Sequence, residues 1–334
     1  SKNQLFAEGA KILASALQNN KIMKVLNISS NHLAHNPGPD NDMSGFIAIS
    51  EAICTMEALV ELHMQENGLL TVAAGQALAK ILKTNRTLCL LDIANNSSST
   101  IAPAHDPIGF AKAFAAGLSA NEALSILNLS DNNLGTMISA SGWYCKPYAT
   151  WKYRNNTGEH KTARKPTGEE FKAEGVVVLA DAIKNHGALK KLMMQQNGLG
   201  NKASGQALEE MLKTNTLEHL DISDNFGHDL DSAEAGALAM TKCVADGLSG
   251  NSAMNSLNIS ANLFCAAGGK LLAKALKNNQ VMTELNISRN NIGKYNDTLP
   301  NETLPDISGV EAFSNAISTM TVLVKLDISN NDLR

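Results

Sequence analysis

Nine times along this chain the pattern L-x-x-L-x-L-x-x-N returns, with Met or Ile standing for Leu, and no other feature limits the fold so strongly. The copies are "MKVLNISSN" ending at Asn31, "LVELHMQEN" at Asn67, "LCLLDIANN" at Asn96, "LSILNLSDN" at Asn132 and "LKKLMMQQN" at Asn197. "LEHLDISDN" at Asn225, "MNSLNISAN" at Asn262, "MTELNISRN" at Asn290 and "LVKLDISNN" at Asn331 complete the set. Within a copy the alternation reads as a short strand: Leu26 and Ile28 face one way, and Val25, Asn27 and Ser29 the other. The closing Asn has a side-chain amide that can bond backbone groups where the strand turns, so stacked copies imply a buried structural ladder of asparagines.

Between strands a second period appears, in "GQALAKILKTN" (Gly75–Asn85), "GQALEEMLKTN" (Gly205–Asn215) and "GGKLLAKALKNN" (Gly268–Asn279). Apolar residues at i, i+3, i+4 and i+7 define an amphipathic helix with a single core stripe. Strand plus helix in roughly 28 residues gives an α/β leucine-rich-repeat solenoid, a horseshoe with a parallel sheet on the concave face and helices on the convex face. The whole chain, 1–334, reads as one such domain of about nine repeats. In these motifs it resembles the ribonuclease-inhibitor-like group, which includes the repeat arrays of innate immune receptors and of Ran GTPase activators. That resemblance implies a protein-binding scaffold without naming its partner.

The repeat breaks its own spacing. Several strand-to-helix connections are lengthened, after Asn31, Asn96, Asn132, Asn225 and Asn290, and the largest surplus falls between Asn132 and Asn197. All of these surpluses emerge along one edge of such a stack, where repeat proteins place specificity. Residues 135–170 form an insert, and it contains "WYCKPYATWKYRNN" (Trp143–Asn156), which holds both tryptophans and three of the four tyrosines. "YATWKYRNN" (Tyr148–Asn156) matches the repeat register with aromatics in the Leu places, so a degenerate tenth repeat is one reading. The favoured one is a β-hairpin with strands near Trp143–Tyr153 and Glu159–Arg164, turning at Asn155-Asn156-Thr157-Gly158 and leading into a helix from Glu169 to Lys184. Trp- and Lys-bearing inserts of this kind, followed by a "GVVVLADAI"-like helix, resemble those in long repeat arrays of unicellular algae and other protists.

The insert is also charged unlike its surroundings. From Trp143 to Gly168 six basic residues oppose Glu159, a net +5 that leaves −9 on the rest of a chain whose total is −4. Trp143, Tyr144, Tyr148, Trp151, Tyr153 and Arg154 are therefore candidate partner-binding residues, since aromatic and Arg side chains concentrate interface energy. A small satellite core made by the same aromatics is compatible with that role. On the concave face, strand positions three, five and seven point outward. His63, Asp92, Met193, Gln195, His219 and Asp221 are its most varied chemistry, on a flat, polar and mildly acidic surface suited to a protein with basic patches.

Catalytic signatures are absent: there is no G-x-S-x-G, P-loop or H-E-x-x-H. His beside Asp recurs in "HNPGPDND" (His35–Asp42), "HDP" (His105–Pro107) and "HDLD" (His228–Asp231), but strands about 4.8 Å apart keep loops two repeats apart too distant to share one metal ion. Asp as a turn cap is the expectation there, with no metal and no cofactor. The reading is a non-enzymatic scaffold within a multi-subunit complex, binding another protein and no small-molecule substrate. Two alternatives are a GTPase regulator, for which Arg289 is the only exposed strand-edge arginine to act, and a nucleic-acid binder using the insert as a stacking platform, against which the acidic body argues. Cys54, Cys89, Cys145, Cys243 and Cys265 are scattered and odd in number, without C-x-x-C, which points to an intracellular, reducing site, the cytoplasm or an organelle. Sequons such as Asn27-Ile28-Ser29 and Asn301-Glu302-Thr303 are expected by chance in so Asn- and Ser-rich a chain. No apolar run reaches the ~18 residues of a membrane span. The opening "QLFAEGAKILASALQNN" has no strand before it and the closing "LDISNNDLR" no helix after it, so the reading expects a piece of a longer array, or ends covered by other subunits, with Leu5, Phe6, Ile12, Leu13 and Leu333 partly exposed.

Overall fold

The computed structural model describes residues 3–34, 42–97, 105–138, 144–145, 152–154, 160–162, 170–214, 216–225, 230–293 and 306–333; side chains within 136–172 and 230–235 lie outside the description. Two compact units divide the chain: one of residues 1–134, 174–197 and 214–220, the other of 135–173, 198–213 and 221–334.

Helix and strand alternate. In the first unit the order is α1 (Phe6–Leu17), β1 (Val25–Asn27), α2 (Ser44–Ile53), β2 (Glu61–His63), α3 (Val72–Thr84), β3 (Leu90–Asp92), α4 (Pro107–Leu118) and β4 (Ile126–Asn128). The insert follows, with five short strands: β5 (Thr136–Ile138), β6 (Tyr144–Cys145), β7 (Lys152–Arg154), β8 (His160–Thr162) and β9 (Glu170–Lys172). Next come α5 (Glu174–Ile183), β10 (Lys191–Met193), α6 (Lys202–Thr214), β11 (His219–Asp221), α7 (Leu230–Leu248) and β12 (Ser256–Asn258). The rest is α8 (Cys265–Leu276), β13 (Glu284–Asn286), α9 (Ser308–Ile317) and β14 (Lys325–Asp327). Nine strands share one sheet in the order β1-β2-β3-β4-β10-β11-β12-β13-β14, the α/β repeat solenoid that the periodicity predicts.

Pairing is parallel and in phase. Val25, Glu61, Leu90, Ile126 and Lys191 stand side by side in the first unit, as do Ser256, Glu284 and Lys325 in the second. The central Leu is buried in eight copies, Leu26, Leu62, Leu91, Leu127, Leu192 and Leu220 in one unit and Leu257 and Leu285 in the other, and half-buried in the last, Leu326. No copy can hide that Leu alone, so burial is shared with its neighbours.

At the strand exits every template Asn is buried, and most donate and accept within the stack. Asn31 N donates to Asn67 Oδ1 at 3.0 Å, Asn67 N to Asn96 Oδ1 at 2.8 Å, Asn96 N to Asn132 Oδ1 at 2.9 Å and Asn132 N to Asn197 Oδ1 at 3.0 Å. In the second unit Asn225, Asn262 and Asn290 continue the same pattern to Asn331. Each bond spans one repeat, and the amide nitrogens reach carbonyls of their own copy and the one before, as Asn67 Nδ2 does to Met64 and Ile28. The residue preceding each Asn adopts φ between 51° and 57°, whether Ser30, Glu66, Gln196, Ala261 or Arg289. Left-handed backbone costs a non-glycine residue roughly 1–2 kcal/mol, which the Asn bonds must offset.

Adjacent helices approach closely where one supplies Gly. A Cβ on Gly45 would lie 2.5 Å from Ala7 Cα, and one on Gly117 2.3 Å from Ala79 Cα. Asp106 caps α4, accepting from Gly109 N at 2.8 Å with Pro107 at the helix start, and Asp42 accepts from Ser44 N at 2.8 Å in the turn before α2. The first His–Asp loop, apart from Asp42, and most of the third lie outside the described residues. Leu5, Phe6 and Leu13 are half-buried, while Ile12 and Leu333 are exposed.

The helix-to-strand loops carry a second set of asparagines. Asn85 Nδ2 donates to Met56 O at 2.9 Å, Asn121 Nδ2 to Leu82 O at 2.8 Å and Asn251 Nδ2 to Leu212 O at 2.7 Å, while their Oδ1 atoms cap the next N–H groups. His186 stands in that place after α5. Its Nδ1 accepts from Leu189 N at 3.1 Å, but its buried Nε2 has no partner among the described residues. Burial also holds its pKa below the ordinary 6.5. His186→Asn is therefore expected to stabilise the protein by about 1 kcal/mol in denaturant unfolding, by restoring a donor. The folded state resists protonating His186 while the unfolded chain does not, so its contribution is complete above pH 6.5 and declines as pH falls below it. The Asn variant should lose that share of the acid-side slope.

The insert differs from its sequence reading in two respects. β7 and β8 pair antiparallel, Lys152 with Thr162 and Arg154 with His160, but the expected strand from Trp143 to Tyr153 is divided: β6 pairs instead with β5, Ile138 with Tyr144. Pro147 lies between, and it has no N–H for a ladder. The expected helix from Glu169 starts at Glu174, because Glu170–Lys172 pairs with Thr136–Ile138 and closes the base of the insert.

Candidate functional site

On the solvent side of the sheet, the fifth template position is Asn or Asp in seven copies, and each of the seven caps its own strand end. The side-chain oxygens of Asn27, Asp92, Asn128, Asp221, Asn258, Asn286 and Asp327 accept from the N–H two residues on, at 3.0–3.2 Å. This local turn explains why a position facing water repeats so strictly. Beside Asp327 the Ser329 N–H and hydroxyl hold the carboxyl below its usual range. Asp92 and Asp221 thus serve the fold first, and the signal that marks them is the recurring Asn/Asp-x-Ser/Ala pattern.

Two copies break it. Where the others have Asn or Asp, β2 has His63 and β10 has Met193, followed by Gln65 and Gln195. Half-buried His63 has Nε2 3.5 Å from Glu61 Oε2 and Nδ1 3.9 Å from Asp92 Oδ2, and that same Asp92 oxygen accepts from Gln65 Nε2 at 2.5 Å. Gln65 Oε1 in turn accepts from the Ser29 hydroxyl, and Gln195 Oε1 from that of Ser130. A connected polar network therefore runs along β1–β3, with Met193 in register with Asn128. In the second unit Asp221 Oδ2 takes Asn258 Nδ2 at 2.8 Å. His63, Asp92, Met193, Gln195 and half-buried His219 on β11 belong to the first unit.

Ser29, Gln65, Asp92, His63 and Glu61 are thus linked side by side on the face. Among the described residues no three His, Cys, Asp or Glu side chains converge as metal ligands, and no helix is long and apolar enough to cross a membrane. A cavity of about 560 Å³ in the second unit, lined by Ile307, Val310, Glu311 and Leu333 among others, carries one titratable group. Exposed Arg289 lies beside Asp327, whose carboxyl its charge lowers further. Of the insert candidates, Tyr144 lies in β6 and Tyr153 and Arg154 in β7, with backbone pairing defined; Trp143, Tyr148 and Trp151 lie outside the described residues.

Fold and face together define a leucine-rich-repeat solenoid whose sheet presents an open polar surface. No family profile matches the chain, and no curated protein does. Among solved structures it is similar to actin-binding site 2 of leiomodin-1, at a TM-score of 0.36 and 16% identity, over 63% of this chain and 91% of that one.

Proposed function

We propose that this chain is a non-enzymatic protein–protein interaction scaffold of the ribonuclease-inhibitor-like type, working inside the cell as a component of a larger assembly. The observation that carries the proposal is the network at His63, Gln65 and Asp92: polar side chains held at an open sheet face, where an extended partner surface can reach them and no substrate could be enclosed. His63, Asp92, Met193, Gln195, His219 and Asp221 then supply hydrogen-bonded and apolar contacts on the sheet. The insert supplies the second element, with Trp143, Tyr144, Tyr148, Trp151, Tyr153 and Arg154 as anchors and a charge opposite to that of the scaffold.

Affinity capture from native extract tests this, comparing the full chain with a variant lacking Trp143–Gly168. The expected result is a stoichiometric protein partner retained by the full chain and weakened by more than about tenfold on the deletion, at unchanged far-UV helicity. Collapse of the fold on deletion would make the segment part of the scaffold, and retention of nucleic acid alone would replace the reading.

A further inference from the structure

The chain contains an internal control for its own surface. Copies of the repeat match not only the template but each other. "AKILASALQNN" (Ala10–Asn20) answers to "GKLLAKALKNN" (Gly269–Asn279), "GQALAKILKTN" to "GQALEEMLKTN", and "GLSAN" (Gly117–Asn121) to "GLSGN" (Gly247–Asn251). Strands β1, β3 and β4 thus correspond to β13, β11 and β12, and β2 corresponds to β10 and β14. A residue that the fold requires should recur in its counterpart, and the buried Leu and Asn do.

At the solvent-facing start of β1–β4 they do not. Val25 is 53% exposed, and Val60, Cys89, Leu90 and Ile126 are all partly exposed. The counterpart of Val25 is Glu284, that of Cys89 is Glu218, that of Leu90 is His219 and that of Ile126 is Ser256; Val60 answers to Lys190 in one copy and Val324 in another. The same scaffold therefore folds with Glu, His and Ser where this strip has Val, Leu, Ile and Cys. Fold stability does not explain apolar side chains there, and exposed apolar surface without a structural reason marks an interaction site. The register puts Val25, Glu61, Leu90 and Ile126 abreast, so the strip crosses four strands, roughly 14 Å at about 4.8 Å per strand.

Glu61 stands in that row between Val25 and Leu90, with its side chain 43% exposed. Its Oε2 lies 3.5 Å from His63 Nε2 and the side chain stays open to solvent, within reach of a second cation, and the acidic Asp92 is one row away on β3. We infer that this strip, Val25, Val60, Cys89, Leu90 and Ile126 around Glu61, docks a segment of a partner protein that presents apolar side chains beside a Lys or Arg. The inference rests on the scaffold reading above and names the chemistry of its partner. The open face accounts for a polypeptide, since nothing there encloses a small molecule, and the cation pairs with the single acid inside the apolar row.

The test uses the full chain against a displayed library of random 12-residue peptides. The variant combines Cys89→Glu, Leu90→His and Ile126→Ser, each introducing the residue that the chain already carries at the matching position. A second variant, Glu61→Lys, copies Lys191 and Lys325 and reads charge preference alone, whether or not the triple variant folds. The inference expects enriched peptides with apolar residues beside Lys or Arg, a loss of more than about tenfold in the triple variant, and loss of the basic preference in Glu61→Lys. Peptides that bind the triple variant as well as the wild type, or absence of enrichment for that composition, would overturn it. So would self-association of the wild type abolished in the triple variant, which would make the occupant a second copy. Binding that depends on Trp143–Gly168 alone would defeat this inference and leave the scaffold reading standing, whereas failure to retain any protein from extract would defeat the scaffold reading itself.

Discussion

Asn262→Ala is expected to lower stability by about 2–3 kcal/mol. Asn262 is fully buried; its Oδ1 accepts from Asn225 N at 2.9 Å, and its Nδ2 donates to Ile222 O and Ile259 O, each at 3.0 Å. Truncation takes the acceptor from the buried Asn225 N–H, a loss of roughly 1–3 kcal/mol, and leaves Ile222 O and Ile259 O with one amide donor each, Asn225 Nδ2 and Asn290 Nδ2. It also removes support for two left-handed residues, Ala261 at φ 55° and Leu263 at φ 53°. Asn258→Ala is the comparison: Asn258 is half-buried, and the Ser260 N–H it caps at 3.2 Å stands near solvent. That change should cost no more than about 1 kcal/mol. Equal effects of the two in urea unfolding would show that the exit asparagines do not bear the stack.

Gly117→Ala is expected to destabilise by about 2–4 kcal/mol although Ala is the better helix former by about 1 kcal/mol. The added methyl would stand 2.3 Å from Ala79 Cα, 2.7 Å from Ala79 O and 2.8 Å from Ala79 Cβ, and two of these atoms are backbone, which cannot rotate away. Relief requires moving α4 off α3 and opening the layer that buries Phe110 and Phe114, whose rings stack at 5.7 Å. Gly250→Ala, where a methyl would meet nothing within 4 Å, should be close to neutral. Thermal unfolding of both variants separates close approach from propensity, and a stabilised Gly117→Ala would contradict the packing described here.

The architecture was legible because the repeat reports burial directly: a Leu every second residue within a strand, an apolar stripe through each helix, and Asn where the chain turns. Three things were not legible, for separate physical reasons. That Asp92 and Asp221 cap the N–H two residues on is signalled only by the recurring Asn/Asp-x-Ser/Ala pattern, because a single carboxylate facing water does not reveal it. The left-handed turns at Glu66, Gln196 and Ala261 carry no Gly or Asn to announce them, because stacked hydrogen bonds impose a conformation that the local sequence does not prefer. The insert's first strand was drawn too long, because aromatic content signals a strand without saying which partner it pairs with, and β6 joins β5 and β9 rather than β7. The apolar strip on β1–β4 is visible in the sequence only after the register has shown which residues stand abreast.

The most direct measurement of the central account is amide hydrogen exchange on the full chain, alone and saturated with the partner captured from extract. Protection on binding is predicted at the strand starts and exits of β1–β4, around Val25, Glu61, Leu90 and Ile126, and within Trp143–Gly168, with the outward faces of α1–α4 unchanged. Protection confined to the helices, or no protection at a saturating partner concentration, would contradict the account.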